Sequence, residues 1–184
     1  MAGLIHPDID SLLERTSRSF FITLRALPSK IRGQVGLLYL LARVADTIAD
    51  SKQGETDLLL MSLQQYNERA QGRSESLPDL GNLVEIQLND SEAELLRNVP
   101  EIVACLENFS EGDRARIRKC LDIIVSGQSL DLQRFGTANE GGGISPLELE
   151  DDLDDYAYRV AGSVGEFWTA MTLAHLFNAN EVKE

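Results

Sequence analysis

Apolar residues recur along this chain at helical spacing, three or four apart, and no segment sustains the alternation of a strand. The first periodic segment opens at Pro7-Asp8 and runs to about Ala26, where Leu27-Pro28-Ser29 breaks it. The second runs from about Ser29 to Ser51. Its stretch VGLLYLLARVADTIAD (35–50) is apolar on nearly every face, which predicts a buried helix. The residues SKQGET (51–56) read as a turn, and Thr56 to Ala70 as a third helix, amphipathic through Leu59, Leu63 and Tyr66. Gly, Ser and Pro make 71–82 a surface loop, and 83–88 is too short to assign. Ser91 with Glu94 forms a capping box before EAELLRNVPEIVACLENF, a segment that Pro100 kinks or divides. Ser110 with Asp113 starts another helix, through about Arg134. GTANEGGGIS is a glycine-rich loop that lacks GxGxxG spacing and a preceding strand, so it does not read as a phosphate cradle. Ser145, Pro146 and Glu148 mark the start of a last helix, reaching about Phe177. The pattern predicts an all-α fold of about six or seven helices without internal repeats.

One feature of the second helix conflicts with its greasy character. Tyr39, Arg43, Asp46 and Asp50 lie three or four apart and share a face. Burying carboxylates is costly unless they are paired or bind a cation. The stripe therefore faces a polar cavity, and Asp46 and Asp50 are candidate metal ligands. Carboxylates at i, i+4 can hold Mg²⁺ ions that also hold diphosphate oxygens. A simpler account is that Arg43 pairs with Asp46.

Three other groupings carry possible chemistry. Ser17 and Ser19 flank Arg18, next to Phe20, and hydroxyls beside a guanidinium suit a diphosphate on an apolar tail; taken alone, the pattern is better described by an amphipathic helix with a solvent arginine. In YAYRVAGSVG (156–165), Gly162 and Gly165 share a face with Tyr158, so a helix or a hydrocarbon should approach that backbone closely. Tyr156, near the same face, could stabilise a cation or move a proton. Gln128 and Asp131 share a face and read either as cavity lining or as a surface polar pair. The histidines, His6 and His175, are too far apart for a His-rich metal site.

Composition narrows the function classes. The formal net charge of −13 over 184 residues argues against a nucleic-acid binder and against simple docking on anionic lipid. Cys105 and Cys120 lie in helical segments without CxxC spacing and read as reduced core thiols of a cytoplasmic protein. No run reaches the length of a membrane span, and the N-terminus lacks signal-peptide features.

Taken in order, TSRSF (16–20), YLLARVADTIAD (39–50), GQSLDL (127–132) and YAYRVAGSVG (156–165) resemble the squalene/phytoene synthase family of head-to-head prenyltransferases. The DTxxD form is closer to squalene synthases. The resemblance implies an isoprenoid-synthase helical bundle around a central cavity. It implies that Asp46 and Asp50 bind Mg²⁺ and the diphosphate of farnesyl diphosphate, and that Arg18 and Arg43 contact diphosphate or NADPH. Tyr39 would line the cavity and Tyr156 would be catalytic, with Ser17, Ser19, Phe20, Gln128, Asp131 and Gly162 at the substrate. The implied reaction joins two farnesyl diphosphates into presqualene diphosphate, then squalene.

Two departures accompany the resemblance. Ala49 stands where squalene synthases often carry Glu, and the family's second aspartate-rich motif is absent. Asp151, Asp152, Asp154 and Asp155 precede Tyr156 and read instead as the exposed start of a helix, favoured by its dipole. The expectation is a single domain, the N-terminal part of a longer synthase, inactive or weakly active alone, with an open apolar cavity wall prone to self-association. Greasy substrates make peripheral membrane contact plausible. Rival readings are a phytoene synthase acting on geranylgeranyl diphosphate and a non-catalytic helical interaction module of the same ancestry.

Overall fold

The computed structural model describes residues 5, 7–17, 19–51, 55–135 and 149–178. Among them every regular element is helical. In chain order these are α1 (Pro7–Ser17), α2 (Ser19–Ala26), α3 (Ser29–Ala49), α4 (Thr56–Ala70), α5 (Gly81–Ile86), α6 (Asp90–Arg97) and α7 (Val99–Ala104). A 3₁₀ turn comes next (Cys105–Asn108), then α8 (Glu111–Phe135), α9 (Glu150–Ala157), a π turn (Tyr158–Gly162) and α10 (Ser163–His175). The expected helix start at Ser145, Pro146 and Glu148, the glycine-rich loop and Arg18 lie outside the described residues.

The greasy second segment is the axis of the fold. Helix α3 packs against α8, α4, α7 and α10. Leu37, Leu40, Leu41, Val44 and Ile48 are fully buried. Each removes its apolar surface from water, a gain of about 1.5–3 kcal/mol per side chain. Tyr66 of α4 is also fully buried, and its hydroxyl donates to the Leu41 carbonyl at 2.8 Å, which satisfies its polar end. Cys105 and Cys120 are buried free thiols, and burial pushes the Cys120 thiol up to about 11, so both behave as core residues. No described helix is long and apolar enough to cross a membrane.

A buried carboxylate ties three helices together. Ser110 caps α8, its hydroxyl accepting from the Asp113 backbone N–H at 3.2 Å. The Asp113 side chain then accepts from Gln34 of α3 at 3.1 Å and Arg116 at 3.1 Å, and pairs with His175 of α10 at 2.8 Å. Burial alone would raise this carboxyl, but the bonds from His175 and Gln34 and the charge of Arg116 hold it below the usual carboxylate range.

Local expectations changed in three places. The cap of α6 is Asn89, whose side chain accepts from the Ser91 N–H at 2.9 Å, so Ser91 lies inside the helix and is not its cap. Glu94 reaches Arg15 of α1 instead, at 2.5 Å and 2.6 Å. Of the acidic run, Asp151 and Asp154 are exposed as expected, but Asp152 pairs with Arg134 of α8 at 2.6 Å and Asp155 with Arg159 at 2.8 Å. The glycine face of 162–165 is open: a side chain at Gly165 would meet nothing within 4 Å, and one at Gly162 would meet chiefly the Tyr158 ring, one turn earlier. The π turn explains this. It adds a residue to one turn and rotates the helix beyond it by about 100° relative to an uninterrupted α-helix. The close approach occurs at Gly127 instead, where an added Cβ would lie 2.9 Å from the Arg159 Cβ.

Candidate active site

Helices α3 and α8 cross with their polar stripes facing each other. Helical spacing on α3 puts Tyr39, Arg43, Asp46 and Asp50 on one face, and spacing on α8 puts Ile124, Gln128, Asp131 and Phe135 on one face. Between them lies a cavity of about 940 Å³, lined by all eight of these residues. The start of α4, with Thr56, Leu59 and the preceding Glu55, closes one side. Tyr156, Val160 and Val164, along the α9–α10 unit, close another. The lining is polar where α3 and α8 contribute Asp46, Asp50, Gln128 and Asp131, and apolar at Ala42, Leu59, Leu132 and Val160.

The polar part forms a connected network. Arg43 donates through one arm to Asp46 at 2.6 Å and through the other to Glu92 of α6 at 2.7 Å. Burial disfavours its charge, but the carboxylates of Asp46 and Glu92 more than offset this and hold its pKa above the ordinary value. Gln128 donates to the second oxygen of Asp46 at 3.3 Å. The backbone N–H of Asp50 donates to the Asp46 carbonyl at 2.8 Å, but its carboxylate makes no hydrogen bond or ion pair among the described residues. Burial, then the charges of Asp46, Glu92 and Asp131, push its carboxyl up against the opposing pull of Arg43. Tyr39 donates to the Thr16 carbonyl at 3.1 Å, and its ring packs on Phe20 with centroids 4.9 Å apart.

The other candidates are placed differently. Ser17 is buried and donates to the Leu13 carbonyl at 2.5 Å, and Ser19 is exposed. Neither they nor Phe20 line the cavity; of the three, Phe20 packs on a lining residue, Tyr39. Gly162 is exposed and outside the cavity wall, where Gly127 stands instead. Glu92 was not legible as a site residue. It meets Arg43 across 49 positions, and its own segment carries only the marks of a helix start.

The donor set fits a divalent cation shared with a ligand. A carboxylate raised by burial and then by like charges, as Asp50 is, is relieved by a bound cation. The Gln128 Oε1 atom is buried beside Asp46 without a hydrogen-bond partner, as expected of a group awaiting a water or an ion. No cluster of three acidic, His or Cys side chains among the described residues is close enough to cage a metal alone. Mg²⁺ tolerates such a site, because it keeps waters and takes phosphate oxygens as ligands.

Residues 13–182 match the model of the squalene/phytoene synthase family. The chain is similar to the squalene synthases of Schizosaccharomyces pombe, at 26% identity over 173 residues, and Nicotiana benthamiana, at 24% over 176 residues. It is also similar to a bifunctional lycopene cyclase/phytoene synthase of Phaeosphaeria nodorum, at 27% over 168 residues. These alignments cover 94%, 95% and 90% of this chain but 34%, 36% and 25% of the respective relatives. The chain thus spans about a third, or less, of their length.

Proposed function

The chain belongs to the squalene/phytoene synthase family, and on that premise we propose that its cavity binds a prenyl diphosphate, farnesyl diphosphate, for head-to-head condensation. One observation carries this reading. The same cavity joins a carboxylate–amide end (Asp46, Asp50, Gln128, Asp131) to apolar walls (Ala42, Leu59, Leu132, Val160), matching a charged head on a hydrocarbon tail. Asp46 and Asp50 would hold Mg²⁺, which would supply positive charge against the diphosphate.

The chain's own groups supply the rest. Arg43 donates to a diphosphate oxygen through an arm that now meets Asp46. In the proposed reaction the C1–O bond of one farnesyl diphosphate breaks and its electron pair leaves with the diphosphate. The double bond of the second molecule attacks the allylic carbon, and loss of a proton closes the ring of presqualene diphosphate. The apolar walls exclude water, which would otherwise trap the cation. Tyr156, on the wall contributed by α9, presents a ring to the cation and a hydroxyl to the departing proton. Rearrangement to squalene would need a hydride donor such as NADPH in addition.

The test is equilibrium binding of a thio analogue of farnesyl diphosphate that does not ionise, with and without Mg²⁺. Binding should depend on Mg²⁺ and be lost in the Asp46→Asn/Asp50→Asn double variant. Equal binding without Mg²⁺, or by the double variant, overturns the reading. The geranylgeranyl analogue, measured beside it, decides tail length: tighter binding of that analogue overturns the farnesyl assignment.

A further inference from the structure

Arg43 is shared between two carboxylates and fully committed to neither. A free guanidinium meets a carboxylate with both arms in parallel, the stronger arrangement. Here Glu92, reaching in from α6, takes the Nη2 arm at 2.7 Å and leaves only Nη1 for Asp46, at 2.6 Å. The remaining Asp46 oxygen carries just the long bond from Gln128, at 3.3 Å. All three charged side chains are partly shielded, with Arg43 30%, Asp46 44% and Glu92 26% exposed, so their pairing is not lost in bulk water.

We propose that Glu92 is a positioning residue: by holding one arm of Arg43 it keeps that arginine from closing bidentately on Asp46, and so leaves Asp46 available to a divalent cation. Nothing in the local sequence around Glu92 marks this role, and it acts from a helix that contributes nothing else to the network. The inference rests on the reading that Asp46 and Asp50 take a divalent cation. Loss of the Glu92 charge lets the guanidinium fork turn wholly onto Asp46, where it competes with the metal for the same oxygens.

The experiment is titration of the chain with Mn²⁺ alone, following free Mn²⁺ by electron paramagnetic resonance. Four proteins form a cycle: the unaltered chain, Glu92→Gln, Arg43→Met, and the double variant, with circular dichroism confirming that each is folded. Asp50→Asn is the control. Glu92→Gln should weaken Mn²⁺ binding on the order of fivefold, the scale of a partly exposed ion pair. In the Arg43→Met background the same substitution should change binding by less than about twofold, because the competing fork is gone. An equal loss in both backgrounds would mean that Glu92 acts only through its own charge, and would overturn the proposal. So would no loss in the unaltered background. Should Asp50→Asn leave Mn²⁺ binding unchanged, the metal-site reading fails, independently of what Glu92 does.

Discussion

Gly127 is where the fold and the cavity meet most tightly, and Gly127→Ala sets two effects of known sign against each other. Replacing a helical glycine by alanine contributes about 0.5–1 kcal/mol by restricting the unfolded chain. Against this, the new Cβ would sit 2.9 Å from the Arg159 Cβ, closer than the 3.4–4 Å of ordinary contact. That neighbour is anchored to backbone and cannot swing away, so α8 and the π turn must part. Overpacking of this kind costs about 1–3 kcal/mol. Parting also stretches the bond from Arg159 Nη1 to the Ser126 hydroxyl, now 2.8 Å, at a cost of about 1 kcal/mol. The opposing costs win, and the variant should lose about 1–3 kcal/mol in urea unfolding at unchanged m. Gly165→Ala is the matched control: no atom lies within 4 Å of its added Cβ, so it should gain a few tenths to about 1 kcal/mol. If the two substitutions shift stability in the same direction, the account of the α8–π-turn contact is wrong.

Other consequences concern charge and buried polar groups. Asp113→Asn should destabilise the chain by about 1–3 kcal/mol at neutral pH, since Gln34, Arg116 and His175 lose a buried anion. The native carboxyl titrates below its ordinary 3.8, so the penalty should hold from neutral pH down to about that value and shrink at lower pH; unfolding across a pH series would show it, and a penalty that grows on acidification contradicts it. Asp50→Asn has the opposite sign. Because the folded state raises this carboxyl, the metal-free variant should be more stable near pH 7, by at most about 1 kcal/mol for so exposed a group, and the gain should vanish below pH 3.8. Destabilisation near neutral pH in thermal unfolding without metal would refute that. Tyr66→Phe should cost about 1 kcal/mol in urea unfolding by removing the buried bond its hydroxyl makes to the Leu41 carbonyl, against near neutrality if the hydroxyl had water as an alternative.

What could be seen in the sequence was whatever is encoded at helical spacing. The stripe Tyr39, Arg43, Asp46 and Asp50 was visible because neighbours three and four apart must share a face, and the apolar residues around it required burial. Gln128 and Asp131 were visible on the same ground, although only the packing of α8 on α3 decides between cavity and surface for them. Contacts between distant segments left no such mark. Arg43 with Glu92, and Asp113 with Gln34, 79 positions away, depend on how helices cross. The cap of α6 was misplaced because Asn89 and Ser91 are both good caps, and the S-x-x-E pattern coincided with a glutamate that Arg15 draws away. The π turn changed the phase of the helix after Tyr158, so glycines that seemed to mark a close approach point outward. Gly127 carries that approach from the opposite helix.

The central claim is that Asp46 and Asp50 hold a divalent cation against a prenyl diphosphate. Its most direct test is a crystal structure of the chain grown with Mn²⁺ and the farnesyl thio analogue, with anomalous difference density locating the metal. The account predicts a Mn²⁺ peak at the carboxylates of Asp46 and Asp50 that also touches the analogue's diphosphate, with the tail along Leu132 and Val160. Analogue bound elsewhere, or in this cavity without metal at the two aspartates, would contradict it.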